Sequence, residues 1–214
     1  GRCDALVLAD HPALEEAGAG TRASELAGTL AAGLGDAALV VASASSAPLI
    51  EAAVARGVHR TRVLGSAPVA FASALRRHLA RELETEPRAV SALVLGRPGA
   101  LLLPQGAATV AGLAVDRLAP AAGRRALAAL DGHAPGPVAL AAAAAETLRA
   151  LFASRASVLP VTVMLDGEYG HRGVAMAVPA RLGGGRVQGI VEAPLEPVDR
   201  TAFDNAASRR PSHR

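Results

Sequence analysis

Val158-Leu159-Pro160-Val161, then Leu165-Asp166-Gly167-Glu168-Tyr169-Gly170, then Ala177-Val178-Pro179, is the stretch on which the reading of this chain turns. Strand-like runs at Val158 to Leu165, Val174 to Ala180 and Arg186 to Glu192, separated by glycine-containing breaks, predict three antiparallel strands. Gly183-Gly184-Gly185 reads as the turn between the last two, because glycine accepts positive φ and a phosphate cradle needs a helix directly after it. Pro197 to Ala207 reads as an amphipathic helix and Ser208 to Arg214 as a frayed basic end.

Upstream of these strands the pattern is different. Short continuous apolar runs at Ala5 to Ala9 and Ala38 to Val41 fit parallel strands covered on both faces, with Arg62-Val63-Leu64 as a third. Ser24 to Leu34 carries Leu26, Leu30 and Leu34 at helical spacing, and Ala47 to Ala55 reads as another helix, so the first part alternates as a βαβ unit. After Gly65 come a long helix over Val69 to Leu83, a strand over Ala89 to Leu95, strand-like Leu101 to Pro104, and helices at Arg124 to Leu130 and Pro137 to Ala153. The last has proline at its first turn, where a missing N–H costs nothing.

Composition narrows the classes. The chain has 214 residues, 51% of them hydrophobic and 19% charged, which fits a globular protein with a substantial core. All 22 basic residues are arginine, but the formal net charge is +3 and acids are interspersed, so no nucleic-acid stripe is present. The single cysteine, Cys3, excludes an internal disulfide and suits a reducing cytoplasm. The most apolar window, Val138 to Phe152, is interrupted by Glu146 and Arg149 and is too short for a membrane span. The six histidines, His11, His59, His78, His133, His171 and His213, show no ligand spacing, so no metal site is expected. His171 reads as a surface residue of a hairpin loop. The chain opens on Gly1 rather than methionine, which leaves an upstream segment open.

The order of motifs resembles the NAD-dependent malate/lactate dehydrogenase family. The stretch from Val158 to Pro179 is similar to that family's "V-L-P … L-x-G-E-Y-G … G-V-P" hairpin, and Arg56 to Ser66 resembles its "G-x-x-x-x-R-V-I-G" join. Pro87-Arg88-Ala89-Val90, Val94-Leu95-Gly96 and Thr109-Val110-Ala111-Gly112 follow in the family's order. The resemblance implies an α/β plus α+β fold: residues 1–65 as the second half of a Rossmann-like NAD-binding domain with a parallel sheet, and 66–214 as the family's C-terminal substrate domain.

The same resemblance implies a catalytic histidine, a partner aspartate and a carboxylate-gripping arginine. Those positions fall on Pro98, Phe71 and Ala74. The family's substrate-contacting Asn-Pro falls on Ser43-Ala44, and its Gly-Ser/Thr pair on Ala134-Pro135. Imidazole serves as acid and base because its pKa lies near neutrality, and an arginine fork grips a carboxylate in two parallel bonds; proline, phenylalanine and alanine do neither. One match survives, Arg22 in Thr21-Arg22-Ala23-Ser24-Glu25-Leu26, which resembles a substrate-contacting loop arginine. The Gly-rich dinucleotide turn has no counterpart, and Gly18-Ala19-Gly20 and Gly33-Leu34-Gly35 read as loop and helix-end glycines.

The leading expectation is therefore a catalytically inactive homologue acting as a structural or regulatory subunit, in a homo-oligomer or a hetero-oligomer with a related subunit. No cofactor is expected, NAD being the family's if any binds. Two readings stay open beside it. One is an NAD-dependent oxidoreductase on malate or a related 2-hydroxy acid, with its acid-base group moved to Arg97 or His11 and its nucleotide segment upstream. The other is a decaying gene product without selected activity.

Overall fold

The computed structural model describes residues 3–9, 19–130 and 134–208. Its parallel half comprises β1 (Ala5–Ala9), α1 (Ala19–Gly33), β2 (Ala38–Ala42), α2 (Ala47–Ala55) and β3 (Val63–Gly65). β1 pairs in parallel with β2 from Ala5↔Ala38 to Ala9↔Ala42, and β2 pairs in parallel with β3. Every residue of β2 is buried, as its unbroken Ala-Leu-Val-Val-Ala run requires of a central parallel strand. Leu39, Val41 and Val63 share an apolar cluster with Leu49, Ile50 and Ala53 of α2 and Ala23 and Ala27 of α1, so both helices close one face of the sheet.

The second half begins with α3 (Ala67–Glu82), followed by β4 (Val90–Ala92), β5 (Leu95–Arg97), β6 (Ala100–Leu102), β7 (Ala108–Val110) and β8 (Leu113–Ala114). Then come α4 (Val115–Leu118), α5 (Ala122–Ala128), α6 (Pro137–Phe152), β9 (Ser157–Asp166), β10 (Arg172–Gly183), β11 (Arg186–Ile190) and α7 (Pro197–Ser208). β9, β10 and β11 are antiparallel, and Gly184 and Gly185, at φ of 60° and 73°, make the expected turn between the last two. The main sheet runs β1-β2-β3-β9-β10-β5-β6 with β11 also on β10, while β4, β7 and β8 form a separate three-stranded sheet.

The main sheet therefore crosses the expected boundary at Gly65, where β3 meets β9 antiparallel through Gly65↔Thr162. Glycine is needed at this junction: a Cβ on Gly65 would run into Ser46 Oγ and lie 3.0 Å from Thr162 Cβ. α6 covers the sheet on the side away from α1 and α2, with Ala143, Ala144, Ala150 and Leu151 in one cluster with Val40, Val161 and Val178.

Two local expectations need correction. The single strand foreseen over Ala89 to Leu95 is two, β4 and β5, in different sheets; between them Leu93 N–H donates to Ala107 O at 3.1 Å and Val94 is fully buried. An apolar run shows burial but not which sheet receives it. α1 begins at Ala19 rather than Ser24, so Gly20 lies in its first turn and not in a loop, while Gly18 lies outside the described residues. The four-residue α4 and two-residue β8 are too short to carry a readable period.

Gly65→Ala is expected to destabilise the chain by about 1–3 kcal/mol, the usual penalty of inserting a methyl group into a packed junction. Urea unfolding checks this, and a Ser46→Gly, Gly65→Ala double variant should recover part of the loss.

Candidate functional site

The stretch around Pro98, where the resemblance places a catalytic histidine, is a tight hairpin. β5 and β6 pair through Leu95↔Leu102, Gly96↔Leu101 and Arg97↔Ala100, leaving Pro98-Gly99 as a two-residue loop. Proline holds φ near −65° at the first corner and Gly99 accepts φ of 75° at the second, the pairing a type II turn demands. Gly96 is also at positive φ, 102°, and a Cβ there would strike Ala100 O. Pro98 and Gly99 are solvent-exposed.

The hairpin leaves β10 incompletely paired. β10 meets β5 at Ala177↔Gly96, so two residues further along each strand Ala175 would face position 98. There the chain is turning, and proline has no N–H to offer. Ala175 is fully buried, so its peptide group needs partners from elsewhere. Arg97 Nε donates to Ala175 O at 2.9 Å, and Ala175 N–H donates to Glu51 Oε1 at 2.9 Å. Glu51 Oε1 also accepts from Arg97 Nη2, closing an ion pair between β5 and α2. The Arg97 side chain is 12% exposed.

Phe71 and Ala74 pack into the apolar interior. Phe71, 4% exposed, belongs to one cluster with Leu75, Val94 and Val115, and Ala74, one turn later on α3, packs against the same cluster. Ser43 is fully buried at the end of β2, and its Oγ accepts from Ser45 N–H at 3.3 Å. Ala134 and Pro135 precede α6 at the surface. Arg22 lies in the first turn of α1, and its side chain lies outside the described residues. Sequence reading missed Glu51 and Ala175 as partners of this loop. Its available signal was Arg-Pro-Gly, a turn motif at the end of a strand.

A second polar cluster ties the β9–β10 connection to α7. Tyr169 holds φ of 52°, which costs a residue with a side chain roughly 1–2 kcal/mol, and its surroundings offset that cost. Its N–H donates to Glu192 Oε2 at 2.9 Å, its hydroxyl accepts from Ala193 N–H at 2.7 Å, and its ring lies 4.7 Å from that of Phe203. Burial pushes the Tyr169 phenol up; the Ala193 N–H opposes this and the Glu192 carboxylate adds to it. His171 is not the surface residue expected from the sequence: Nε2 lies 2.7 Å from Asp204 Oδ1 and the ring 5.8 Å from that of Phe203. The hydrogen bond to His171 is the largest cause holding the Asp204 carboxyl below its ordinary value, with Arg200 adding to it.

Glu168 accepts from Arg60 Nη1 at 2.9 Å and from Asp166 N–H at 2.6 Å, and Arg60 also donates to Met164 O at 3.1 Å. Burial alone raises the Glu168 carboxyl, but the Asp166 N–H, its own N–H and Arg60 together leave it below the ordinary value.

A cavity of about 1100 Å³ lies beside Asp4, Ala37 and Arg62, at the amino-terminal ends of β1, β2 and β3. Ligands of open α/β sheets bind outside the carboxyl ends, so this cavity is at the wrong end for that chemistry. Among the described residues no group of His, Cys, Asp and Glu could hold a metal ion, and no helix is long and apolar enough to cross a membrane. No described strand leads through a Gly-rich turn into a helix; Gly33 closes α1 and Gly35 sits at φ of 54° beyond it. The described residues therefore do not fit the pyrophosphate of a dinucleotide.

A half-parallel, half-antiparallel sheet flanked by helices defines the class as a mixed α/β protein. Residues 134–209 match the family described as lactate/malate dehydrogenase, alpha/beta C-terminal domain. The chain is 34% identical to the malate dehydrogenase of Thioalkalivibrio sulfidiphilus over 162 residues, and 33% identical to that of Thermomicrobium roseum over 165. These alignments cover 70% and 72% of this chain but 53% of each relative, so the chain spans about half the length of the curated relatives it matches. The structure of malate dehydrogenase from Salinibacter ruber superimposes with a TM-score of 0.82 at 24% identity, covering 95% of this chain and 71% of that one. Residues 134–209 thus match the C-terminal domain of the lactate/malate dehydrogenase family, and the chain as a whole is similar to malate dehydrogenases.

Acid stability reports the Glu168 cluster. A carboxyl held below its ordinary value stabilises the fold above the unfolded pKa, about 4.3 for glutamate, and that contribution fades as pH falls through the folded value. Glu168→Gln should lower Tm at pH 7 by roughly 2–4 °C, the shift that about 1 kcal/mol produces in a chain of this size. The gap to the wild type should close below about pH 4; thermal unfolding across pH 3–7 checks this.

Proposed function

We propose that this chain is a catalytically inactive member of the malate/lactate dehydrogenase family, serving as a structural or regulatory subunit in a homo-oligomer or beside a related subunit. The observation that carries the reading is the hairpin turn at Arg97-Pro98-Gly99-Ala100, where the family resemblance requires a histidine. Proline can neither take nor give the hydroxyl proton of a 2-hydroxy acid. Phe71 within an apolar cluster and Ala74 beside it leave no aspartate to orient an imidazole and no fork to grip a substrate carboxylate. Loss of the acid-base group alone typically costs about 10²–10⁴ in rate.

The competing reading moves the acid-base role to Arg97 or His11. Arg97 is committed to Glu51 and the Ala175 peptide, and its guanidinium does not release a proton near neutrality. His11 lies outside the described residues. A cytoplasmic location belongs to the same proposal and is supported by the single cysteine.

The test is a titration of NADH against the natural full-length protein, followed by its own fluorescence, with oxaloacetate or pyruvate added afterwards. The chain has no tryptophan to interfere. The reading expects no consumption of NADH with either acid; steady loss of NADH proportional to protein would overturn it. Size-exclusion chromatography with light scattering is expected to give a species larger than a monomer, and a strict monomer without a partner would count against the subunit role.

A further inference from the structure

Two donors and one acceptor converge beneath α2 in an arrangement that recognises carboxylates. Ala175 N–H and Arg97 Nη2 both aim at a single oxygen, Glu51 Oε1, while Arg97 Nε is fixed on Ala175 O. The guanidinium is thus oriented by the backbone on one side and presents a charged N–H on the other, and its side chain is 12% exposed. A preoriented guanidinium with an adjacent peptide N–H binds an anion strongly because the donors need little rearrangement.

We propose that Arg97 and the Ala175 peptide form a carboxylate-binding site that the chain keeps filled with its own Glu51. The proposal goes beyond the loss of catalysis and does not depend on it. Small monocarboxylates, of formate or acetate size, are the ligand class, because the space in question is that of one glutamate side chain between α2 and β10. The receptor is structural in origin: the Ala175 peptide is available since β5 turns away at Pro98, and Arg97 is drawn to it because a buried carbonyl needs a donor. Glu51 is carried on α2, whose Leu49, Ile50 and Ala53 are buried on the sheet, so the internal carboxylate is delivered in register. An intramolecular ligand acts at an effective concentration on the order of millimolar or higher, so free carboxylates do not displace it at lower concentrations. Withdrawing the Glu51 carboxylate opens the site.

The experiment uses the full chain with Glu51→Gly and follows thermal unfolding during titration with sodium formate, against sodium chloride at matched ionic strength. Formate is expected to raise the Tm of Glu51→Gly in a saturable manner, to leave the wild type at its chloride value, and to lose its effect when Arg97→Leu is added to Glu51→Gly. Equal responses to formate and chloride, or equal formate responses with and without Arg97, would overturn the proposal. Should Glu51→Gly not fold in buffer, refolding from urea is measured in formate and in chloride. Recovery in formate alone supports the site, and no recovery in either contradicts it. Glu51→Gln, whose amide oxygen still accepts from Ala175 and Arg97, is expected to fold and to ignore formate.

Discussion

A buried peptide group must be hydrogen-bonded, and at Ala175 the strand that would complete β10 has already turned away. From that constraint follows the form of the whole loop region. Pro98-Gly99 closes a two-residue hairpin, Arg97 reaches back to the stranded carbonyl, and Glu51 on α2 accepts the stranded N–H while neutralising the arginine. A half-buried arginine and glutamate taken singly would each be costly; together, with the peptide between them, every donor and acceptor involved is matched. The result joins the hairpin to α2.

The arrangement depends on the sheet beneath it. β9 and β10 form its longest ladder, and the single close approach at Gly65↔Thr162 lets the parallel strands β1 to β3 continue into that ladder without a gap. The helix α3 starts just after Gly65, so the junction that fixes the sheet also fixes where Phe71 and Ala74 fall. At the other end of the ladder, the left-handed Tyr169 is held by Glu192, Ala193 and Phe203, and the bonds from His171 to Asp204 and from Arg200 Nη2 to Tyr169 O anchor α7. None of these contacts involves Pro98, Phe71 or Ala74.

Much of the fold was legible in the sequence because its long elements carry strong periods. α2 has the expected bounds, and the Gly183-Gly184-Gly185 turn followed from glycine's tolerance of positive φ; β1 also has the expected bounds but, as the edge of the sheet, it is largely exposed rather than covered on both faces. Short elements were not legible: β4 and β5 share one apolar run yet serve different sheets, and only tertiary pairing separates them. At the candidate site the sequence indicated which positions had changed, but not what replaced their chemistry. Glu51 stands in an apolar helix 46 residues before Arg97, and nothing local connects them. His171 likewise gave no sign of Asp204, which lies 33 residues further on.

The account rests on Arg97 and Glu51 acting as one unit across the cleft, and a double-mutant cycle measures that directly. Arg97→Leu, Glu51→Leu and the double variant would be unfolded in urea at pH 7. A coupled pair predicts that the double variant is less destabilised than the sum of the singles by about 1–3 kcal/mol, since each single change strands a charge beside the Ala175 peptide. Additivity within about 0.5 kcal/mol would show that the two residues act separately, and would contradict the account.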